Sequence, residues 1–386
     1  MGELATFLHD QGHSVQVITG LPNYPSGKVA SEYADQTSMV EDWNGVKVFR
    51  ERSKYAGRED SVITKGLAAL SFYFAAKRAA RNAEPTEVIF TISPPPFALL
   101  ASSSIGRKWG SKVYVRVTDL GWLALRSVSG VSQVIGSMFK LIEVSALKRA
   151  HRIGPNSPAF LRPLKEVGLK VEEPDVIADW VDGRALSPIA DEESRKAEWG
   201  LEGKFLVMYS GSLGYSSDLA PMIHAAKTLE SETRTAFLII GAGPKEAEYK
   251  ALAAELGVTN LQFLPFQPRE VLRETLGSAD VHVVSLTQEA AHSSTQGKSR
   301  SIMATGRPMI GIMPTDCAEA KLLTENSVGW VIDNHNVEGL VDLIRVLGQD
   351  SDQLRSSGIK ARELYEQSFA LETGCAAVLK SLGYMA

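Results

Sequence analysis

The stretch "FLVMYSGSLGYSSDLAPMIHAAKTL" (residues 205–229) decides the fold class. It starts with an apolar run typical of a buried strand, passes through a glycine-containing loop and ends in a segment with helical periodicity. A strand that leads through a glycine loop into a helix is the repeating unit of doubly wound α/β sheets. The bare backbone of Gly211 and Gly214 lets a ligand approach closely, and the next helix offers its amide-rich start to a phosphate. The alternative is that these glycines only form a tight turn.

The same alternation of strands and helices extends along the chain in both directions. Downstream, the predicted strands are "AFLIIGAGP", "LQFLPF", "VHVVSL", "MIGIM" and "GWVID", each separated from the next by a helical segment. Upstream, the strand candidates are "HSVQVITG", "VKVFRE", "EVIFTIS" and "SKVYVRVTD", and helical periodicity appears in 61–81, 97–109 and 132–151. This alternation predicts an α/β fold with parallel sheets covered by helices.

The length of 386 residues exceeds one ordinary hydrophobic core and fits two domains. The turn-rich segment 179–196 is the best boundary between them. We therefore predict Rossmann-like domains over residues 1–182 and 183–364. The final helices, in about 365–386, have no strand after them and could pack back on the first domain.

The first domain lacks its expected opening strand. The chain starts "MGELATFLHDQGHSVQVITG", which is a helix leading into a strand. A doubly wound domain normally opens with a strand and a glycine loop, and that strand lies beside the switch point of the sheet. A start site placed about 15–20 residues late would explain the difference. A natural variant of the fold is the alternative.

The amino-acid composition is that of an ordinary globular protein. Hydrophobic residues make up 44% and charged residues 22% of the chain, so extended disorder is not expected. Cys317 and Cys375 cannot form a disulfide framework and are predicted to be reduced thiols in the cytoplasm. No apolar run reaches the length of about 18 residues that spans a bilayer.

The charge is distributed unevenly along the chain. Residues 1–185 hold 23 Lys and Arg against 19 Asp and Glu, whereas the remainder holds 18 against 26. A basic half could favour an anionic surface, and ordinary scatter of charge is the alternative.

Other chemistries have no motif in this sequence. The chain contains no HExxH pattern, no GxSxG elbow and no P-loop, and its histidines show no metal-ligand spacing. Basic residues are not interleaved with aromatic residues as in nucleic-acid-binding proteins. Neither a metal site nor a nucleic-acid partner is therefore expected.

Two further loops of the second domain have the features of a ligand site. In "IIGAGP", Gly241 and Gly243 follow a buried strand, so a base or ribose could lie against the bare backbone; close packing is the alternative. The long loop "TQEAAHSSTQG" leads into a helix that begins near Lys298. Long loops inside compact domains are usually functional, and a helix start with a lysine suits a pyrophosphate. A solvated surface lysine is the alternative.

Three strand ends of the first domain also lead into candidate binding loops. These loops are "GLPNYPSGK" (20–28), "TISPPPFALL" (91–100) and "RVTDLGW" (116–122). Asp119 in the last loop is placed to act as a base or to accept a hydrogen bond from a hydroxyl. It could instead cap a helix.

Several motifs, in order along the chain, resemble those of one family. The stretch "HSVQVITGLPNYPSGK" is similar to the family pattern "GHEVTVITGFPNYPTGK", "VMYSGSLG" to "VLYAGNLG", and "GKSRSIMATGRPMIG" to "PSKLYEYLAAGRPVIA". The chain resembles the GT-B glycosyltransferases of family 4, a retaining, nucleotide-sugar-dependent group. It is most similar to the bacterial exopolysaccharide and O-antigen branch, which includes the colanic acid and N-acetyl-L-fucosamine transferases. The resemblance covers nearly the whole chain.

This resemblance implies a GT-B fold, in which two Rossmann-like domains face a cleft, and a transfer with retention of configuration. The donor is expected to be a nucleotide-sugar, in this family a UDP-sugar, and the acceptor a lipid-linked sugar or polysaccharide in cell-surface polysaccharide synthesis. No metal or other cofactor is expected, because a lysine and helix dipoles take its place at the diphosphate. The expected location is the cytoplasm, and it could include peripheral contact with the inner membrane face through the basic helix 132–152. A solvated helix face is the alternative.

The family's functional residues are carried over by their position in these motifs. Asp119 faces the reacting sugar and Lys298 the diphosphate, which makes them the catalytic candidates; Glu319 reaches the ribose or the sugar. The other donor-side positions lie in strand-end loops or at the start of the Lys298 helix: Gly211, Ser212, Gly214, Gly241, Gly243, Pro244 and Ser301. The acceptor-side positions lie in the first two loops of the first domain: Asn23, Tyr24, Pro94 and Pro95.

The chain also departs from the family pattern. Ser293 and Ser301 stand where the broader family has two glutamates, and Thr118 stands where an arginine usually precedes the aspartate. These departures support an alternative function, that of a degenerate, non-catalytic GT-B protein that binds a nucleotide or a partner enzyme. A sugar-nucleotide epimerase of the same fold is disfavoured, because its catalytic carboxylates and histidine have no clear match.

Overall fold

The structure, a computed structural model, is that of an α/β protein, and it describes residues 1–23, 27–57, 60–124, 133–172, 175–291 and 297–384. It divides into two compact units. Unit 1 comprises Met1–Ile177 together with the residues from Cys375 onward, and unit 2 comprises Ala178–Gly374. The division falls a few residues before the 182/183 boundary predicted from the sequence. Of the final helical region, only the part from Cys375 onward belongs with unit 1.

Unit 1 contains six helices of its own and six strands within the described residues. The helices are α1 (Gly2–Asp10), α2 (Val62–Ala79), α3 (Pro96–Trp109), α4 (Gly121–Ala124), α5 (Gln133–Leu147) and α6 (Leu161–Glu166). The strands are β1 (Gln16–Gly20), β2 (Ser38–Trp43), β3 (Val46–Glu51), β4 (Val88–Ser93), β5 (Lys112–Val117) and β6 (Arg152–Pro155).

Unit 2 continues the alternation. Its strands are β7 (Phe205–Ser210), β8 (Thr235–Ile240), β9 (Leu261–Leu264), β10 (Val281–Ser285), β11 (Met309–Ile312) and β12 (Gly329–Ile332). Its helices are α7 (Ala220–Thr228), α8 (Glu246–Glu255), α9 (Leu272–Gly277), α10 (Gly297–Ala304), α11 (Ala318–Glu325), α12 (Val337–Leu347) and α13 (Ser351–Ser368). The last helix, α14 (Leu371–Leu382), starts in unit 2 and continues into unit 1.

The strands of unit 1 form two three-stranded sheets, in the orders β1-β3-β2 and β4-β5-β6. As predicted, the described chain opens on a helix, and no strand precedes α1 within it. Ile18 of β1 and Ile89 of β4 pack against the same cluster of α2 and α3 side chains. The two sheets therefore share one layer of helices.

The prediction that all strands run parallel is wrong at one place in unit 1. Strand β2, which the sequence analysis missed, runs antiparallel to β3. The two strands are joined by Asn44 and Gly45, whose φ angles are 53° and 81°. Two consecutive residues with positive φ form the turn that best matches the twist of a hairpin, and Asn-Gly is the dipeptide that favours it. The signal was therefore present in the sequence.

Unit 2 has a six-stranded sheet in the order β12-β11-β10-β7-β8-β9, in which every described pairing is parallel. Alternate residues of β7 pack on opposite faces, with Val207 and Tyr209 in one core cluster and Leu206 and Met208 in the other. From β7 the chain moves outward to β8 and β9, and from β10 it moves outward in the opposite direction. The reversal between β7 and β10 is a topological switch point, where ligands bind beyond the carboxyl ends of the strands.

The described helices were compared with the requirements for crossing a membrane. Within the described part of the chain, no helix combines the length and the apolar composition that crossing a bilayer requires.

Candidate functional site

Lys298 lies against the loop that follows β7 at the switch point of unit 2. Its Nζ atom donates a hydrogen bond of 2.6 Å to the Tyr209 hydroxyl and lies 4.1 Å from the centroid of the Tyr209 ring. A Cβ atom added to Gly211 would lie 3.0 Å from the same Nζ. The structure therefore brings together Lys298 and Gly211, which the sequence analysis had placed at one phosphate site from separate motifs.

The backbone of the β7 loop supplies hydrogen-bond donors beside this lysine. Gly211 N donates to Ile240 O at 2.9 Å, and Leu213 N donates to Ala242 O at 3.0 Å. By contrast, the amides of Ser212 and Gly214 have no acceptor among the described residues. Ser212 is also exposed to solvent. Unused amides next to an ammonium group are suited to an anion.

The glycines of the two loops have different roles. A Cβ atom on Gly241 would lie 1.9 Å from Gly211 O, and one on Gly243 would lie 2.4 Å from Leu213 O. Close packing of the β8 loop on the β7 loop therefore accounts for both glycines, which is the alternative considered for this motif. At Gly214 the added Cβ would meet only Ser212 Oγ, at an ordinary 3.6 Å. Packing does not require Gly214, so its lack of a side chain leaves room for a ligand.

The start of α7 does not have the predicted role. Asp218 Oδ1 accepts a hydrogen bond of 3.0 Å from Ala220 N, so a carboxylate already occupies the helix start. The Ser285 hydroxyl accepts from Asp218 N at 3.0 Å and donates to Asp218 O at 2.8 Å, which fixes this turn. A second negative charge at the same amides would be repelled. The expectation that α7 binds a phosphate is therefore corrected, and the anion site moves to the loop amides and Lys298.

Glu319 is engaged in a buried ion pair rather than facing the loops. Arg300 Nη1 donates to both of its carboxylate oxygens, at 2.8 and 2.7 Å, and both residues are less than a tenth exposed. The Arg300 guanidinium lies 5.0 Å from the centroid of the Phe369 ring. Glu319, which was predicted to reach the ribose or the sugar, thus connects α11 to α10 and fixes the helix that carries Lys298. Ser301 follows Arg300 and is half-buried.

In unit 1, Asp119 lies beside the proline loop that follows β4. The preceding residue, Thr118, donates through N and Oγ1 to Ser93 O, at 3.0 and 3.3 Å. This contact places Asp119 next to the loop of Pro94 and Pro95, so three of the predicted residues of unit 1 lie together.

The other two acceptor-side predictions lie elsewhere. Asn23 follows β1 in the other sheet of unit 1, and its Nδ2 donates to Leu21 O at 2.8 Å. Tyr24 falls outside the described residues, as does Ser293 in unit 2.

A buried carboxyl group lies behind the Asp119 loop. Glu143 of α5 is fully buried, and its two oxygens accept from Gly121 N at 3.3 Å and Trp122 N at 3.0 Å. Glu143 therefore caps the start of α4, a role considered for Asp119. Burial raises the pKa of Glu143 to about 7, and the charge of Asp119 adds to this rise.

Sequence reasoning missed three residues of these arrangements. Tyr209 looked like one more apolar strand residue, and only its place at the carboxyl end of the strand set it apart. Arg300 stands two residues after Lys298 in the same motif, but nothing in the sequence pairs it with a residue in the next helix. Glu143 left a usable signal, because it is the only acidic residue of α5 and has apolar residues on either side of it.

Comparison with known proteins shows which families and structures this chain is similar to. Residues 191–364 match the profile of the family described as "Glycosyl transferases group 1". The chain is 25% identical over 357 residues to the putative colanic acid biosynthesis glycosyl transferase WcaI of Escherichia coli (strain K12), covering 89% of this chain and 86% of that protein.

Solved structures with the same fold include several glycosyltransferases. The sucrose-phosphate synthase of Thermosynechococcus elongatus has a TM-score of 0.77 and 17% identity, over 99% of this chain and 91% of its own. Anabaena Alr3699/HepE in complex with UDP and glucose has a TM-score of 0.71 and 14% identity, over 100% of this chain and 95% of its own. The chain is therefore a glycosyltransferase with the GT-B fold, and its residues 191–364 form a glycosyl transferases group 1 domain.

Proposed function

We propose that this protein is a retaining glycosyltransferase that moves a sugar from a UDP-sugar to a lipid-linked or polysaccharide acceptor in cell-surface polysaccharide synthesis. The observation that carries the proposal is the position of the Lys298 ammonium beside the β7 glycine loop, at the switch point of unit 2. The WcaI relative, whose name refers to colanic acid biosynthesis, supports the polysaccharide acceptor. The UDP complex of HepE supports uridine as the nucleotide.

In this proposal, unit 2 binds the donor through its diphosphate. Lys298 neutralises the charge that develops on the leaving UDP, and the amides of Ser212 and Gly214 donate hydrogen bonds to the same oxygens. These donors are fixed before the reaction, so little reorganisation is needed when the glycosidic bond breaks. Ser301 is a further donor-side residue in this proposal, and Gly241, Gly243 and Pro244 border the base.

The reaction is proposed to need no metal, because an ammonium group can take the place of a cation at the diphosphate. A divalent cation at a diphosphate supplies positive charge, and here Lys298 supplies it. Binding of UDP is therefore expected to be equally tight with EDTA and with added Mg²⁺, measured by titration calorimetry. Binding that depended on the cation would contradict the metal-free mechanism.

Unit 1 takes the acceptor in this proposal. Asp119 accepts a hydrogen bond from a hydroxyl of the reacting sugar, and the loop of Pro94 and Pro95 forms a stiff wall beside it. In this proposal the enzyme works in the cytoplasm, and it reaches a lipid-linked acceptor at the inner face of the membrane, to which it attaches peripherally.

The test compares two lysines of unit 2. UDP affinity is measured for the wild type, for Lys298→Ala and for Lys250→Ala, which removes an exposed lysine paired with Glu246. We expect Lys298→Ala to weaken UDP binding at least tenfold, about 1.4 kcal/mol, and Lys250→Ala to leave it unchanged. Equal affinity of all three proteins would remove Lys298 from the donor site.

Turnover is tested separately from binding. Release of UDP from a panel of UDP-sugars is followed in time with a membrane extract as the acceptor source. Release that requires the extract supports the transferase. Tight UDP binding without release from any sugar would instead favour the non-catalytic alternative.

A further inference from the structure

Helix α2 carries several large apolar residues on the outside. Its fully buried residues are alanines, among them Ala75, Ala76 and Ala79, and Phe72 and Tyr73 pack beside them while only partly buried. Its exposed face carries a row of large apolar side chains at the spacing of one helix face: Ile63, Leu67, Leu70 and Phe74. A surface helix normally shows the reverse pattern, with its large apolar residues turned to the core.

Helix α5 also exposes large apolar residues. Its buried side chains are Glu143, Ala146 and Leu147, whereas Val134, Met138 and Leu141 are exposed at helical spacing. Both α2 and α5 pack against α3, so the two apolar rows belong to one layer of helices. We call these exposed rows, Ile63, Leu67, Leu70 and Phe74 with Val134, Met138 and Leu141, the α2–α5 surface. The exposed fraction ranges from 37% at Leu70 to 72% at Leu141.

The exposed charges on the helices of this layer have one sign. The sequences of α2, α3 and α5 contain a single acidic residue, Glu143, and that residue is fully buried. The exposed charged side chains of the three helices are basic: Lys65, Lys77, Arg78, Arg107 and Lys108. The exposed Asp60 precedes the Ser61 cap of α2, and Arg78 is paired with Glu51, so the basic excess comes mainly from Lys65, Lys77, Arg107 and Lys108. An apolar face on helices whose own exposed charges are basic is complementary to an anionic lipid surface, where apolar side chains enter the acyl boundary and basic groups meet the headgroups.

We propose that the α2–α5 surface docks the protein onto an anionic lipid bilayer. The inference deepens the proposed function and rests on it in one respect, since a lipid-linked acceptor is presented at such a bilayer. The helices would lie on the membrane surface rather than cross it, because their other faces are packed in unit 1. Contacts made by protein partners differ in composition, since they concentrate Tyr, Trp and Arg anchors within a polar rim, whereas these rows are mainly aliphatic.

The experiment measures co-sedimentation of the full chain with vesicles, in the absence of any nucleotide-sugar. One set of vesicles is pure phosphatidylcholine, and the other contains phosphatidylcholine mixed with phosphatidylglycerol. We expect binding to the mixed vesicles that weakens in high salt, and little binding to the neutral ones. The double variant Leu67→Ser/Leu141→Ser is expected to bind the mixed vesicles at least about tenfold more weakly, because two buried leucines are lost from the contact.

A matched double variant controls for loss of surface apolarity. Val346→Ser/Ile359→Ser removes two side chains of unit 2 that are 56% and 55% exposed and lie outside the α2–α5 surface. It is expected to bind like the wild type, and circular dichroism checks that all three proteins are folded.

The proposal is overturned if the wild type does not bind mixed vesicles, or if both double variants bind equally. It is also overturned if sedimentation shows self-association that only Leu67→Ser/Leu141→Ser abolishes while vesicles do not bind, since the surface would then join copies of the chain. Because the assay contains no donor, its outcome is independent of whether the protein releases UDP.

Discussion

The Lys298 ammonium lies 4.1 Å from the centre of the Tyr209 ring while it donates a 2.6 Å hydrogen bond to the hydroxyl of the same side chain. One tyrosine thus holds the cation in two ways, through its π face and through its oxygen. The same hydroxyl donates to Ser212 O at 2.8 Å, so the ring also fixes the loop whose amides are unused. Tyr209 therefore positions both parts of the proposed diphosphate site.

Tyr209→Phe keeps the ring and removes the hydroxyl. We expect UDP affinity to fall roughly three- to tenfold, in line with the net contribution of a typical hydrogen bond, about 0.5–1.5 kcal/mol. The affinity is measured by titration calorimetry. Tyr249→Phe is the matched control, because Tyr249 is equally buried and its hydroxyl bonds Ser217 O rather than the lysine. An equal loss of UDP affinity in both variants would show that Tyr209 acts only through general stability.

Two glycine substitutions separate packing from ligand binding. Gly243→Ala introduces a Cβ 2.4 Å from Leu213 O, and we expect the free energy of unfolding to fall on the order of 3 kcal/mol. Gly214→Ala meets no close atom, so its stability is expected to stay near that of the wild type while UDP affinity falls. Urea unfolding and calorimetry measure the two quantities. Unchanged UDP affinity in Gly214→Ala would place the diphosphate elsewhere.

The buried pair of Arg300 and Glu319 is expected to be far more costly to break than a surface pair. Glu319→Ala leaves a buried guanidinium without its carboxylate, and such losses cost about 3–5 kcal/mol of stability. The exposed pair of Arg345 and Glu232 gives the comparison, because Glu232→Ala is expected to cost about 0–1 kcal/mol. Both costs are read from urea unfolding. A cost for Glu319→Ala no larger than that for Glu232→Ala would contradict the structural role.

Glu143 is expected to make stability depend on pH near neutrality. In the folded protein its pKa is raised to about 7, mainly by burial, from an ordinary value of 4.5. The folded state therefore holds a proton that the unfolded chain releases. The resulting stabilisation is complete below pH 4.5 and is lost as the pH rises through about 7, by an amount on the order of 3 kcal/mol.

This effect is isolated by comparing the wild type with Glu143→Gln. Burial also lowers the pKa of His282 to about 4, so His282 has the opposite effect and costs stability as the pH falls from 6.5 toward 4. That contribution is common to both proteins and cancels in the difference. We expect the stability of the wild type relative to Glu143→Gln to decrease between pH 5 and pH 8. A constant difference over that range would mean that Glu143 does not titrate there.

The element pattern was largely readable from the sequence because apolar periodicity directly reflects burial. The segments 61–81 and 97–109 correspond to α2 and α3 within a few residues, and "VKVFRE" is β3 itself. Strand β2 was missed because its own residues are mostly exposed, and only Asn44-Gly45 marked the hairpin. Periodicity detects elements that bury one face and is weak for an edge strand.

Residues of the candidate site could be predicted where they lie in one recognisable loop motif. They could not be predicted where their role depends on a partner that is distant in the sequence. Lys298 and Gly211 each lie in a recognisable motif, and the fold brings the two motifs together. The pairing of Arg300 with Glu319 depends on the packing of two helices, so no local pattern could have excluded Glu319 from the ligand. Gly241 and Gly243 show the same limit, because sequence cannot distinguish a glycine needed for loop packing from one needed by a ligand.

The division of the chain has a consequence for how the protein can be dissected. The chain passes between the units twice, once after Ile177 and again within α14, so unit 1 consists of two separate stretches and no single cut releases either unit. Unit 1 depends on its last residues: Arg152 Nη1 donates to Ser381 O at 2.9 Å, and Tyr384 contacts the His13 ring and Glu87. A fragment ending at Ile177 would lose these contacts, whereas a circularly permuted chain that joins the two pieces of unit 1 would keep them.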